Sequence, residues 1–305
     1  MTEFRVLDYD IIYLSYDEPN AEKNYADLCK KIPWAKRVHG VKGSDAAHKA
    51  CAELSESDRF ITVDGDNIIN PDFLTKSFNL DDHEDGHWNK NVSLDECVIS
   101  WSAKNTINGL EYGNGGIKCW PKQKVLTMRT HENADPNNAH AQVDFCWDIE
   151  YIQMNGCYSE IMNNGSPQQA WRAGFREGVK MALDRGLKPT VEEFQKNHWK
   201  NLHRLYVWLM VGADVENGDW ATYGAREGLY KTMCTDWDFV NVRDFDWLNE
   251  YWDNKDISDI DQQSQELGYK LIEELELPIA AEPLNGNQSL FFKTVYTNPP
   301  RTAKR

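Results

Sequence analysis

Long apolar runs are missing from these 305 residues. No stretch approaches the roughly 18 consecutive apolar residues that a membrane-spanning helix requires, so no membrane partner is expected. Positive charge is scarce: 33 Lys and Arg stand against 49 Asp and Glu, a formal net charge of -16. That balance excludes a passive nucleic-acid coat, which needs the opposite sign, but leaves room for a local basic groove. Close cysteine pairs are absent. The seven cysteines are an odd, widely spaced set, expected to be reduced and structural in a cytosol-like compartment. The opening residues carry Glu3, Arg5, Asp8 and Asp10 instead of a secretory-type apolar run, and a cytoplasmic location is expected. The glycine-rich Gly109 to Gly116 lacks the Gly-Lys-Ser/Thr ending of a phosphate-binding P-loop.

What the chain does have is an apolar run that ends in acid, Arg59-Phe60-Ile61-Thr62-Val63-Asp64-Gly65-Asp66-Asn67. Phe60, Ile61 and Val63 fit a buried strand. Asp64 and Asp66 are costly to bury unpaired, so the chain must emerge there. Gly65 between them lets a bulky group approach the backbone. Two carboxylates so placed can clamp a divalent cation, and that cation can hold a diphosphate.

Upstream, Asp10 to Leu14 reads as a strand, Ala21 to Lys31 as a helix closed by Pro33, Lys36 to Val41 as a short strand and Ser44 to Leu54 as a helix. Strand, helix, strand, helix, strand predicts an α/β fold with a mostly parallel sheet and helices outside. Ligands in such sheets bind beyond the C-terminal strand ends, where the polar loops Ser15 to Asn20 and Asp64 to Asn67 converge. Further strands are expected at Val98 to Trp101 and Ile117 to Trp120. Val143 to Asp148 sets two acids four residues apart, on one face if helical.

Ser166-Pro167-Gln168-Gln169 is a strong helix start, leading to Arg172 and Arg176 one turn apart. Gly174-Phe175-Arg176-Glu177-Gly178 recurs as Gly224-Ala225-Arg226-Glu227-Gly228, read as two similar helices flanking a third, Asn201 to Met210. Glycine inside a helix is destabilising, so its presence suggests close packing or short helices. Arg172, Arg176 or Arg226 is a candidate to face a diphosphate or an anionic acceptor; the alternative is that the Arg-Glu pairs tie helix surfaces. The aromatic and acidic stretch from Asp236 to Asp256 is expected to pack on the body or line a groove. The expected division is a catalytic unit over residues 1–190 and a helical, aromatic-rich extension over 191–305 packed against it.

Tyr13 to Asn20, Lys42-Gly43-Ser44 with its helix, Phe60 to Asp66, and Gly115-Gly116 before an extended segment resemble a metal-using, nucleotide-sugar-dependent glycosyltransferase of the GT-A type, over about residues 6 to 185. The loop Ser15 to Asn20 and the Gly-x-Arg-Glu-Gly repeats are similar to virus- and phage-borne members, which implies the host cytoplasm. The resemblance implies a GT-A-like sheet, a UDP-sugar or other nucleoside diphosphate sugar as donor, and Mn²⁺ or Mg²⁺ as cofactor. It makes Asp66 the direct metal ligand and sets Asp64 on ribose or on a metal-bound water. Asp17 or Glu18 would hold the base or ribose, Lys42 and Lys49 would neutralise phosphate, and His48 would touch the nucleotide. Gly116 would open the acceptor-side strand. His131, His140, His198 and His203 compete for a third metal position, with His198 favoured for its Trp199 neighbour. If the sugar inverts, a carboxylate must take the acceptor proton; Asp148 and Asp144 are the candidates, Asp148 slightly favoured. The chain lacks the Gln-x-x-Arg-Trp signature of processive synthases.

The acceptor is left open between a glycan, a protein and modified DNA. A DNA-modifying glycosyltransferase acting on hydroxymethylated or already glycosylated bases is the first alternative; it needs a basic groove with stacking rings. A non-catalytic carbohydrate-binding protein is the second. A nucleotidyltransferase is disfavoured, because the loop after the first strand is acidic where a triphosphate needs a basic one. The oligomeric state is not legible.

Overall fold

The computed structural model describes residues 3–79, 93–113, 115–133, 137 and 149–298. A short antiparallel pair, β1 (Glu3–Arg5) with β6 (Ser77–Asn79), flanks the main sheet. That sheet holds β2 (Asp10–Ser15), β3 (Lys36–His39), β4 (Arg59–Asp64), β5 (Asn67–Ile69), β7 (Cys97–Asn105), β8 (Glu111–Tyr112), β9 (Ile117–Pro121) and β10 (Glu150–Ile161). Its order is β3-β2-β4-β9-β7-β10-β5, with β8 paired on β7. Helices α1 (Ala21–Lys31), α2 (Ser44–Leu54) and α3 (Lys122–Thr127) accompany it.

The apolar runs of β2 and β4 are covered on both faces. Alternate strand residues point to opposite sides: Tyr13, Ile61 and Val63 pack with Leu28 of α1, and Ile12 and Phe60 pack with Cys51 and Ala52 of α2. This double burial is why the strands read as continuous apolar runs in place of an alternating pattern.

The expected GT-A-like, mostly parallel sheet is corrected by the pairing. Only β2/β3, β2/β4 and β7/β10 are parallel; β4/β9, β7/β9, β7/β8 and β5/β10 are antiparallel. The result is a mixed sheet that curls as a half-barrel between flanking helices. The reason lies in the connections. From β2 to β4 successive strands are joined by a crossover helix, and parallel neighbours result. Between β7 and β9 the chain makes only β8. Without a crossover helix it returns antiparallel and wedges β9 between β4 and β7.

The C-terminal helices are α4 (Pro167–Ala182), α5 (Val191–Phe194), α6 (Trp199–Met210), α7 (Gly218–Cys234), α8 (Phe245–Asp253), α9 (Ile260–Leu275) and α10 (Gly286–Val295). α4 begins as its sequence predicts: Ser166 Oγ accepts from Gln169 N at 3.1 Å. The two glycine repeats pack directly on each other, and α6 lies beside both. A Cβ at Gly174 would overlap the carbonyl oxygen of Ala221, one at Gly178 that of Ala225, one at Gly224 that of Trp171 and one at Gly228 that of Phe175. The repeats therefore form a reciprocal backbone-to-backbone seam. This replaces the expected flanking arrangement and crosses residue 190.

Arg226 does not face an anion. It is fully buried and donates to the carbonyls of Leu209 (2.9 Å), Ser264 (2.8 Å), Ala280 (3.2 Å) and Ala281. The aromatic stretch packs on the helices: Trp171, Phe175 and Tyr223 meet Trp237, Trp247, Tyr251 and Trp252.

Candidate functional site

β2 and β4 are adjacent and parallel, with Leu14 opposite Asp64, so the segments that follow them emerge side by side. A Cβ on Gly65 would lie 2.7 Å from the Glu18 carboxyl carbon and 2.9 Å from Ser15 Cβ. Only glycine lets the two loops close so tightly. Two donors hold the Gly65 carbonyl from beneath: Tyr13 Oη at 2.5 Å and Asn24 Nδ2 at 3.1 Å. The Tyr13 hydroxyl, with one hydrogen to give, also lies within reach of Ala21 O at 3.0 Å. Burial, with the Glu18 and Asp66 carboxylates nearby, pushes its phenol well above the ordinary range, so it stays a donor.

Three carboxylates share this edge. Asp66 accepts from Asn67 Nδ2 at 2.7 Å, and its own carbonyl accepts from Met162 N at 2.6 Å. Burial first, then the charges of Asp64 and Glu18, push the Asp66 carboxyl up to about 7. Glu18 is raised too, by burial and by Asp17 and Asp64, although it accepts from Tyr16 N at 2.8 Å. Asp64 pairs with Lys118 of β9, whose ammonium lies 3.2 Å from Oδ2 and whose side chain is only 10 % exposed. Lys118 was not singled out in the sequence, but a charged residue inside the apolar run Ile117 to Trp120 was the available signal.

The other sequence-predicted residues distribute as follows. Gly116 is in the site: its carbonyl accepts from Asp64 N at 2.9 Å, and a Cβ there would overlap the Asn67 amide. Asp17 is on the same edge, 4.0 Å from Arg172. Lys42 is exposed and pairs with Asp246 at 2.7 Å. Lys49 pairs with Asp45 at 2.6 Å. His48 is buried, edge-on to Trp120 with ring centroids 5.2 Å apart, and its Nδ1 lies 2.8 Å from Ser44 O. Burial lowers its pKa and keeps it neutral. His198 is exposed and caps α6, accepting from Lys200 N at 3.3 Å. His203 lies 2.9 Å from Tyr296 Oη, and His131 is buried. Asp144, Asp148 and His140 lie outside the described residues.

The N-terminus of α2 is already capped from within. Glu132 receives Ser44 N at 2.9 Å and Asp45 N at 3.1 Å.

The donor set bears on a metal. Among the described residues no group of three His, Cys, Asp or Glu side chains is arranged to hold one, so those residues by themselves form no closed cage. An open site of one or two carboxylates completed by water and phosphate is the Mg²⁺-type arrangement, and Asp64 and Asp66 fit it. The nearby buried Asn24 Oδ1 and Asn67 Oδ1, which have no partner among the described residues, add oxygen atoms to the two carboxylates, while the Lys118 ammonium already pairs with Asp64. Oxygen ligands suit hard cations.

No family model matches the chain, and no curated protein matches its sequence.

Proposed function

We propose that this protein is a metal-dependent glycosyltransferase that moves a sugar from a nucleoside diphosphate sugar to an acceptor hydroxyl. The observation that carries the reading is the crowding of Glu18, Asp64 and Asp66 at the C-terminal edge of two adjacent parallel strands, where Asp66 is pushed up to about 7 by burial and by its neighbours' charge. An edge that holds more negative charge than its surroundings stabilise favours a cation. The sugar in the reading comes from the resemblance of the strand and its Asp-Gly-Asp ending to nucleotide-sugar enzymes.

Asp66 and Asp64 would hold the metal from one side. Lys118 fixes the Asp64 carboxylate, and Asn67 orients that of Asp66. Tyr13 and Asn24 lock the Gly65 peptide between them, so the two carboxylates stay pre-set. When bound, a divalent cation supplies charge stabilisation for a departing diphosphate without a proton transfer. Glu18, backed against Gly65, closes the nucleoside side of the edge.

Calorimetry with UDP and other nucleoside diphosphates, in Mn²⁺ and in chelator, tests the reading. Wild type should bind one of them in a Mn²⁺-dependent way, and Asp66→Asn should lose at least about tenfold in affinity. Binding identical with and without metal, or unchanged in Asp66→Asn, overturns it.

A further inference from the structure

Beside the carboxylate edge lies an arrangement that the metal does not explain. Arg172 and Arg176 are one turn apart on α4, and both guanidinium groups lie on the same ring: Arg172 is 5.0 Å and Arg176 4.9 Å from the Phe245 centroid. Like charges at this helical spacing repel, and stacking on a ring offsets only part of that cost. The Arg172 side chain is 13 % exposed, and its nearest described charge is an Asp17 oxygen 4.0 Å away. That separation gives attraction without a hydrogen bond. Among the described residues no group accepts a hydrogen bond from Arg172, which leaves a planar, five-donor fork oriented but unused.

The helix that carries Phe245 is anchored, although the ring itself is exposed. Phe245 opens α8, where Asp244 accepts from Asp246 N and Trp247 N. Asn249 accepts from Gln168 of α4 at 3.0 Å, and Trp247 is embedded against Trp237 and Tyr251.

We infer that Arg172, laid on Phe245 beside Arg176, binds a phosphate group at the edge that carries Asp17. Guanidinium groups match phosphate oxygens two at a time, and a pre-stacked one loses little side-chain freedom on binding. The inference rests on the transferase reading for the ligand's identity, since the phosphate belongs either to the donor's diphosphate or to the backbone of a nucleic-acid acceptor. The site itself works without metal.

The test is calorimetry with inorganic pyrophosphate and, separately, with a short single-stranded oligodeoxynucleotide, in chelator and in Mn²⁺. Wild type should bind at least one probe in chelator. Arg172→Gln should weaken that binding about tenfold, and Arg172→Lys, which keeps the charge but not the fork, by a smaller factor. Loss for pyrophosphate alone assigns the phosphate to the donor, and loss for the oligonucleotide alone assigns it to the acceptor. Should Arg172→Gln fail to fold, Arg172→Lys and Phe245→Leu carry the same comparison. No binding of either probe by wild type, or unchanged affinity in folded variants, overturns the inference. Arg172-dependent binding with no gain from Mn²⁺ keeps this site while refuting the metal reading.

Discussion

Asp66 holds a carboxyl whose surroundings disfavour its charge, and this has a pH signature of defined sign. Its pKa is about 7 in the folded protein, against about 3.9 in an unfolded chain. Between those values the folded state binds the extra proton. Stability therefore falls as pH rises from about 4 to about 7 and is level above. Replacing the group by a neutral isostere removes the penalty. Asp66→Asn is expected to be more stable than wild type at pH 8 by on the order of 2 kcal/mol, discounted for partial exposure, and indistinguishable near pH 4. Urea unfolding at the two pH values measures this, and equal stabilities at pH 8 would contradict the burial argument. Metal has the opposite linkage, because a cation needs the ionised form. Mn²⁺ affinity should rise with pH up to about 7. Much of this chemistry was legible in the sequence, since an apolar strand that ends in Asp-Gly-Asp has to surface. The pairings of Lys118 and Phe245 were not, because their partners, Asp64 and Arg172, lie 54 and 73 positions away; the charge of Lys118 inside an apolar run marked the residue but not its partner.

At the scale of elements, the glycine seam between α4 and α7 makes the sharpest prediction. Gly174, Gly178, Gly224 and Gly228 each face a carbonyl of the opposite helix at a distance that leaves no room for a methyl group. Backbone cannot swing aside as a long side chain can. Gly174→Ala is therefore expected to separate the helices and destabilise the protein by about 3 kcal/mol, even though alanine is the better helix former by about 1 kcal/mol. Thermal unfolding measures the sum, and a raised melting temperature would show that propensity outweighs the seam. Glycines inside helical stretches pointed to close packing or short helices, of which the structure has the first, and the helices Ala21–Lys31 and Ser44–Leu54 match their apolar periodicity. Strand direction was harder to read. β9 looks like any buried strand. Its antiparallel position between β4 and β7 is fixed by long-range register and by the missing crossover helix, so reading a parallel sheet from the first half of the chain extended a local rule past its range.

Across the whole molecule, the C-terminal helices depend on a buried cation for which no described residue supplies an opposing carboxylate. Arg226 joins the end of α6, the first turns of α9 and the segment at Ala280 and Ala281 through carbonyl oxygens and the Met210 sulfur. Burial lowers its pKa to about 10, which leaves it charged at neutral pH. The carbonyls at the C-terminus of α6 carry the negative end of the helix dipole and supply the balancing potential. Around it the core gathers residues from distant stretches, Ile107 and Leu110 beside Leu205, Leu229 and Leu271, so the strand-rich and helical parts share apolar contacts. Arg226→Met keeps the length and removes every donor, leaving several buried carbonyls unpaired at about 1–3 kcal/mol each before relaxation. A net loss of about 3–5 kcal/mol is expected. Because the core is shared, the loss should appear as one cooperative transition at lower denaturant, with the denaturant slope unchanged. A variant that instead unfolds in two steps, with the helices first, would mean that the helical part is stabilised separately from the sheet. In that case the Phe245 platform, and with it the orientation of Arg172, could be lost while the carboxylate edge remained in place.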